Sequence, residues 1–144
     1  MKIKAKLEDF VVEEVLTEPP KDHGPWRLWK MTKERLNTQD AVSLVARALG
    51  ISPDRIGYAG RKDRHALTTQ YISVPARYRL PLSPDSHLHL EETGYAERHI
   101  APADMAGNLF RVVIRDISEQ EADSALQEKE IVETNGFINY FDDQ

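Results

Sequence analysis

The chain has 144 residues, of which 40% are hydrophobic and 30% are charged, a balance that excludes an intrinsically disordered protein. It contains no cysteine, which excludes disulfide scaffolds, zinc ribbons, iron–sulfur clusters and thiol nucleophiles. No apolar run approaches the roughly 18 residues that a membrane-spanning helix needs, and the first residues lack the apolar stretch of a secretory signal. We therefore expect a cytoplasmic domain without a membrane partner.

The net charge of −5 hides an uneven distribution along the chain. Residues 1–80 carry 15 Lys and Arg against 10 Asp and Glu, a net charge of +5. Residues 81–144 carry 4 against 14, a net charge of −10. Such a split indicates either a basic binding face beside an acidic, solvent-exposed face, or cations that only keep a surface solvated.

Six strands are predicted, over residues 4–16, 26–32, 56–59, 67–74, 87–96 and 109–117. The connection 17–25 holds three prolines and a glycine, so it cannot continue a ladder, and we expect the second strand to return beside the first as a hairpin. A turn is predicted at 106–108, before a strand that alternates apolar and polar residues.

Two helices are predicted. Apolar residues recur at helical spacing over 38–49, with Thr38 as the N-cap and Gly50 as the residue that ends the helix. Ser118 and Glu121 form the pattern of a capping box, which opens an acidic helix running to about Glu130. Together these elements predict an α+β fold with a mixed, largely antiparallel sheet and flanking helices.

One loop carries the pattern that is most suggestive of chemistry. Asp63 lies among the cations Arg61, Lys62 and Arg64, in a glycine-flanked loop between two apolar segments. Neighbouring cations favour an ionised carboxylate, which is the form that acts as a nucleophile or a base. A solvated turn with mutual ion pairs produces the same pattern, so the residues alone leave both interpretations open.

A metal site is the weaker candidate. His87 and His89 would point to the same face of a strand, but no third ligand is evident near them. We therefore expect ordinary surface histidines and no metal.

The segment Gly-Arg-Lys-Asp-Arg-His-Ala-Leu-Thr-Thr-Gln at 60–70 resembles the signature of the TruD family of tRNA pseudouridine synthases. Three more segments are similar to family motifs in the same order: 4–14, with Lys, Asp-Phe, Val and Glu; 107–110, Gly-Asn-Leu-Phe; and 136–141, Gly-Phe-Ile-Asn-Tyr-Phe. The chain departs from the common pattern at Leu7, where many members have proline. That change affects backbone shape rather than chemistry.

The resemblance implies roles for individual residues. Asp63 matches the catalytic aspartate, Phe10 an aromatic that lines the uridine pocket, and Asn139 a polar contact to the target nucleotide. Five further positions match motif residues that the resemblance places around the substrate: Phe141, Lys4, Glu14, Lys62 and Gln70.

The resemblance also implies an activity. The expected reaction isomerises uridine to pseudouridine, at position 13 of tRNA, without a cofactor or metal. Asp63 would attack the sugar or the base, or would remove a proton. The partner would be tRNA, and the oligomeric state stays open.

Family members are more than twice as long. We therefore expect residues 1–144 to be the N-terminal part of a TruD-type catalytic domain, without the family's inserted domain and the returning half of its sheet. Two hypotheses follow: a synthase that turns over weakly or not at all as this piece, or a non-catalytic remnant that binds RNA.

Overall fold

A computed structural model describes residues 1–64, 66–79 and 84–136. The strands in these ranges are β1 (Lys2–Ile3), β2 (Phe10–Leu16), β3 (Trp26–Lys33), β4 (Gly57–Tyr58), β5 (Leu67–Pro75), β6 (Leu88–Ala96), β7 (Met105–Val112) and β8 (Ile114–Arg115). The helices are α1 (Thr38–Leu49) and α2 (Glu119–Asn135), with 3-10 turns at Leu7–Asp9, Pro53–Arg55 and Pro102–Asp104. The chain divides into two units, Ile3–Val113 and Met1–Lys2 with Ile114–Gln144.

The larger unit is built on a mixed sheet with the strand order β6-β3-β5-β2-β7, and β4 pairs with β5. Neighbouring strands are antiparallel except β2 and β5, which are parallel. This architecture confirms the predicted fold class. The predicted hairpin of the first two long strands is wrong, because β5 lies between β2 and β3. The prolines of the 17–25 connection have no N–H for a ladder, so local sequence does not impose a tight hairpin there.

Helix α1 packs its apolar stripe on one face of this sheet. Ala41, Val42, Val45 and Ala46 are buried in a core with residues of β3, β5 and β6, including Met31 and Ile72, which are fully buried. Gly50 ends the helix in the left-handed region at φ 65°, as predicted. The N-cap prediction is wrong by one residue, since Asn37 Oδ1 accepts the Asp40 N–H at 2.8 Å and Thr38 is buried.

The bounds of three strands differ from the predicted bounds. Residues 7–9 form a 3-10 turn, so the first strand begins at Phe10, and the strand expected over 56–59 is reduced to Gly57–Tyr58. The turn expected at 106–108 is wrong, because these residues are extended and lie inside β7. Among the strands that the structure describes, β7 is at the edge of the sheet and pairs only with β2. Two of its apolar side chains are open to solvent, with Leu109 62% and Phe110 57% exposed.

The smaller unit contains the pairing of β1 with β8 and helix α2. The predicted capping box is present: the Ser118 N–H donates to Glu121 Oε2 at 2.7 Å, and the Glu121 N–H donates to Ser118 Oγ at 3.2 Å. Helix α2 runs to Asn135, beyond the predicted end near Glu130, and all its described residues have exposed or half-exposed side chains. No helix in the described ranges is long and apolar enough to span a membrane.

Candidate active site

Four segments of the larger unit meet at one edge of the sheet, which we call the loop edge. Because β2 and β5 are parallel and pair Val11 with Leu67, the residues that precede both strands leave the sheet at the same edge. Strands β3 and β7 run the opposite way and end there, pairing Lys33 with Thr68 and Val112 with Phe10. The loop edge thus consists of residues 4–10, 33–38, 60–64 and 110–112.

Asp63 lies on the exposed side of the loop edge, with 47% of its side chain open to solvent. Lys4 Nζ is 3.5 Å from Asp63 Oδ2 and 4.2 Å from the centre of the Phe10 ring. The structure therefore brings together three of the predicted site residues, which lie up to 59 positions apart in the chain (63 − 4). Because the ammonium lies beside the carboxylate, it favours the ionised form of Asp63.

Lys62 and Glu14 form a buried ion pair beneath the same loop. Lys62 Nζ is 2.7 Å from Glu14 Oε2, and the side chains are 6% and 0% exposed. The other carboxylate oxygen, Oε1, accepts the Tyr71 N–H at 3.1 Å. Of the cations that neighbour Asp63 in the sequence, Lys62 pairs with Glu14, and Arg64 Nε donates to the Arg35 carbonyl at 3.1 Å. Lys4, from a distant segment, also contacts Asp63.

Gln70 and Thr38 hold the backbone of the loop. Thr38 Oγ1 accepts the Lys62 N–H and donates to Gln70 Oε1, both at 2.9 Å. Gln70 Nε2 donates to the Gly60 carbonyl at 3.1 Å. Gln70 and Thr38 are 0% and 1% exposed, so this chain of hydrogen bonds is shielded from water and rigid. Sequence reasoning missed Thr38, because its place at a helix start is typical of a cap.

Lys33 is the second side chain that the sequence did not single out. It is 1% exposed, and its Nζ donates to the carbonyls of Leu36 at 2.7 Å, Lys62 at 3.3 Å and Asp63 at 3.2 Å. Burial lowers the pKa of this ammonium from 10.5 to about 8, while the Asp63 charge raises the pKa and the Lys62 charge lowers it. Its position at the end of an amphipathic strand gave no sequence signal for burial.

Phe110 is a further aromatic at the loop edge. Its ring centre lies 6.1 Å from that of Phe10, with an angle of 55° between the ring planes. Phe110 lies in the strand that the sequence predicts, and it presents an exposed ring beside Phe10. Asn139 and Phe141, two of the predicted site residues, lie outside the described residues.

His87 and His89 are the two histidines that the sequence offered as metal ligands. His87 Nδ1 is 3.0 Å from Glu34 Oε1. In the part of the chain that the structure describes, no group of three or more His, Cys, Asp and Glu side chains is arranged to hold a metal ion.

Comparison with known proteins assigns the chain to a family. The model of the family described as tRNA pseudouridine synthase D (TruD) matches residues 1–144. The chain belongs to the TruD family. It is 36% identical over 143 residues to tRNA pseudouridine synthase D of Leptospira interrogans, covering 99% of this chain and 35% of the relative. It is 35% identical to probable tRNA pseudouridine synthase D 1 of Methanococcus maripaludis, covering 100% of this chain and 37% of the relative.

A solved structure of this family has the same fold. The crystal structure of the putative tRNA pseudouridine synthase D from Methanosarcina mazei aligns with a TM-score of 0.84 and 29% identity. The alignment covers 97% of this chain and 33% of that one. The chain thus spans about a third of the length of the TruD proteins that it matches.

Proposed function

We propose that the chain carries the catalytic aspartate of a tRNA pseudouridine synthase, which isomerises uridine to pseudouridine at position 13 of tRNA. The observation that carries this proposal is the contact of Lys4 with both Asp63 and Phe10 at the loop edge. An anionic carboxylate, a cation and an aromatic face lie side by side on an accessible surface. Membership of the TruD family supports the same reaction.

The reaction requires that the target uracil is unstacked from its neighbours in the folded RNA. An enzyme that acts on a base within folded RNA extrudes the nucleotide and holds it by stacking and by hydrogen bonds to its edge. In this proposal the Phe10 ring supplies the stacking face, an interaction worth on the order of 1–3 kcal/mol. The family resemblance assigns the contact with the uracil edge to Asn139, whose amide donates and accepts, and it places Phe141 in the same motif.

The chemistry is an isomerisation and needs no cofactor in its atom balance. The bond from C1′ to N1 breaks, the base turns, and a bond from C1′ to C5 forms. The proton on C5 leaves and N1 gains one. Asp63 serves this sequence as the nucleophile toward sugar or base, or as the proton acceptor at C5. Each role requires an ionised carboxylate that reaches the substrate, which agrees with the Lys4 contact and the 47% exposure of the side chain.

The remaining predicted residues act beneath the loop in this proposal. Glu14, Lys62 and Gln70 are buried, so they hold the backbone that presents Asp63. Lys4 is half exposed and faces both Asp63 and Phe10. A catalytic group must be held within a fraction of an ångström of its working position, and a buried network supplies that rigidity.

The test is the formation of pseudouridine in a tRNA transcript, measured by mass spectrometry of nuclease fragments. Two proteins are compared: the 144-residue chain, and a chimera in which it replaces the matching third of the Leptospira interrogans relative. Each is made with Asp63 and with Asp63→Asn. Asp54→Asn is the matched control, because Asp54 is an exposed aspartate beside an arginine in the Pro53–Arg55 turn. A transcript with cytidine at position 13 tests whether the modified uridine is the one at that position.

We expect the chimera to modify position 13, the Asp54 variant to match it, and the Asp63 variant to be inactive. Activity of the 144-residue chain by itself would show that this third is sufficient for catalysis. Pseudouridine formation that survives Asp63→Asn would refute the assignment of the catalytic residue. A folded chimera that binds tRNA and forms no pseudouridine would favour the second hypothesis, a remnant that binds RNA.

A further inference from the structure

A concave surface beside Asp63 combines four cations, and we call it the basic pocket. It has a volume of about 440 Å³ and is lined by Lys4, Ala5, Lys6, Leu7, Arg35 and Arg64. No acidic side chain belongs to this lining. The sequence left open whether the cations of the N-terminal half form a binding face or only solvate a surface. Four of them lie together at the loop edge.

One wall of the basic pocket is a fixed turn. Asp9 is 1% exposed, and its Oδ2 accepts the Lys6 N–H at 2.9 Å. The Asp9 N–H donates back to the Lys6 carbonyl at 3.1 Å. These two hydrogen bonds close the turn between Lys4 and the start of β2, so the cations of this wall project from a rigid base.

The other wall joins two segments that are distant in sequence. Arg64 Nε donates to the Arg35 carbonyl at 3.1 Å, which fixes the Arg64 guanidinium group against the turn that follows β3. This bond uses the Nε–H, one of the five N–H donors of the planar group, and the other four belong to the two terminal nitrogens. Arginine binds phosphate oxygens with this fork of donors.

Backbone strain also concentrates in this pocket. Lys4 and Arg35 both have a φ of 56°, and they are two of the three described non-glycine residues with positive φ. Residues other than glycine rarely adopt this left-handed backbone conformation. Where they do, they are often found at ligand-binding and active sites. The strained residues are two of the four cations, which supports a role in binding rather than in solvation.

We propose that the basic pocket binds a phosphodiester of the RNA strand adjacent to the target uridine. This inference rests on the proposed function and adds the contact that positions the strand. Lys4 lines the basic pocket and contacts Asp63, so an anion held there lies next to the carboxylate that acts on the nucleotide. The acidic neighbour Glu34 is directed to His87 and does not line the pocket.

The experiment measures binding of a nine-nucleotide single-stranded RNA with one uridine to the 144-residue chain, by fluorescence anisotropy at several salt concentrations. The variants are Arg64→Gln and Arg35→Gln, and Arg55→Gln is the matched control because Arg55 is exposed on the Pro53–Arg55 turn and does not line the pocket. A series of RNAs replaces one phosphodiester at a time with an uncharged methylphosphonate. Circular dichroism verifies that every variant is folded.

We expect each pocket variant to bind about fivefold more weakly at 0.1 M salt, and the salt slope to fall by about 0.7. Arg55→Gln should match the unchanged chain. One methylphosphonate next to the uridine should weaken binding by the same factor and remove the difference between the unchanged chain and Arg64→Gln. This coupling requires a direct contact, whereas a general loss of positive charge would weaken binding equally with every RNA of the series.

Equal losses with all the modified RNAs would overturn the inference, and so would pocket variants that behave like Arg55→Gln. Competition by inorganic phosphate at constant ionic strength, at concentrations comparable to those of the RNA, would assign the pocket to a free anion instead. The assay needs no turnover. A negative result in this binding assay would not refute the isomerase proposal. An inactive chimera, together with the expected coupling between Arg64→Gln and the methylphosphonate, would refute the isomerase proposal and leave the phosphodiester site in place.

Discussion

The buried ion pair of Lys62 and Glu14 gives a quantitative prediction about the loop that presents Asp63. Lys62→Met removes the ammonium and leaves the Glu14 carboxylate at 0% exposure, with the Tyr71 N–H as its remaining donor among the described residues. Removing one partner of a buried pair costs about 3–5 kcal/mol, because the other charge loses its compensation. The total free energy of unfolding of a domain is about 5–15 kcal/mol, so the loss is a large fraction of it.

A double-mutant cycle separates the pair from its surroundings. Glu14→Gln keeps an acceptor for the Tyr71 N–H, and the double variant Lys62→Met with Glu14→Gln removes both charges. We expect the double variant to be more stable than Lys62→Met. The matched control is Lys129→Met, which breaks a 3.6 Å ion pair with Glu133 whose side chains are both 63% exposed. Such a surface pair contributes about 0.3–0.5 kcal/mol.

The assay is urea unfolding followed by circular dichroism at pH 7. A loss below about 1 kcal/mol in Lys62→Met would refute the reasoning, since uncompensated burial of a charge costs more than that. A double variant that is as unstable as the sum of the two single variants would refute the coupling between the two side chains.

Three further predictions test other parts of the loop edge. Asn37→Ala removes the cap of α1 and should lower the free energy of unfolding by about 1 kcal/mol, read from urea denaturation; an unchanged midpoint would contradict the capping role. Because the folded state lowers the pKa of Lys33 to about 8, the unfolded chain binds the extra proton between pH 8 and 10.5. The stability of the unchanged chain should therefore rise with pH relative to Lys33→Met, by about 3 kcal/mol across that window, and a pH-independent difference would contradict it. Phe10→Leu keeps the apolar volume and loses the aromatic face, so in the chimera it should reduce the rate of pseudouridine formation about tenfold or more; an unchanged rate would remove Phe10 from the uridine pocket.

Local patterns were sufficient to predict most of the secondary structure. The apolar spacing of α1, the left-handed Gly50 and the capping box of Ser118 depend on residues within a few positions, and the structure has all three. The order of strands depends on contacts between distant segments. The parallel pairing of β2 with β5 has no local signature, which is why the predicted hairpin was wrong.

The candidate site divides in the same way. Asp63 was found because an acid among cations in a glycine-flanked loop is a local pattern, and Lys4 and Phe10 were reached through the family resemblance. The direction of the Lys62 side chain depends on Glu14, 48 positions away, and no pattern near Lys62 shows that its ammonium is buried. Thr38 and Lys33 were missed for the same reason, since their hydrogen-bond partners in the loop lie 24 to 30 positions away.

The most direct test of the central claim follows the hydrogen on C5 of the target uridine. A tRNA transcript labelled with tritium at this position loses the label to water when the new bond from C1′ to C5 is complete. The chimera should release tritium in proportion to the pseudouridine formed, and Asp63→Asn should release none while it binds the transcript as well as the chimera does. Undiminished tritium release by the Asp63→Asn chimera would contradict the claim that this carboxylate performs the isomerisation.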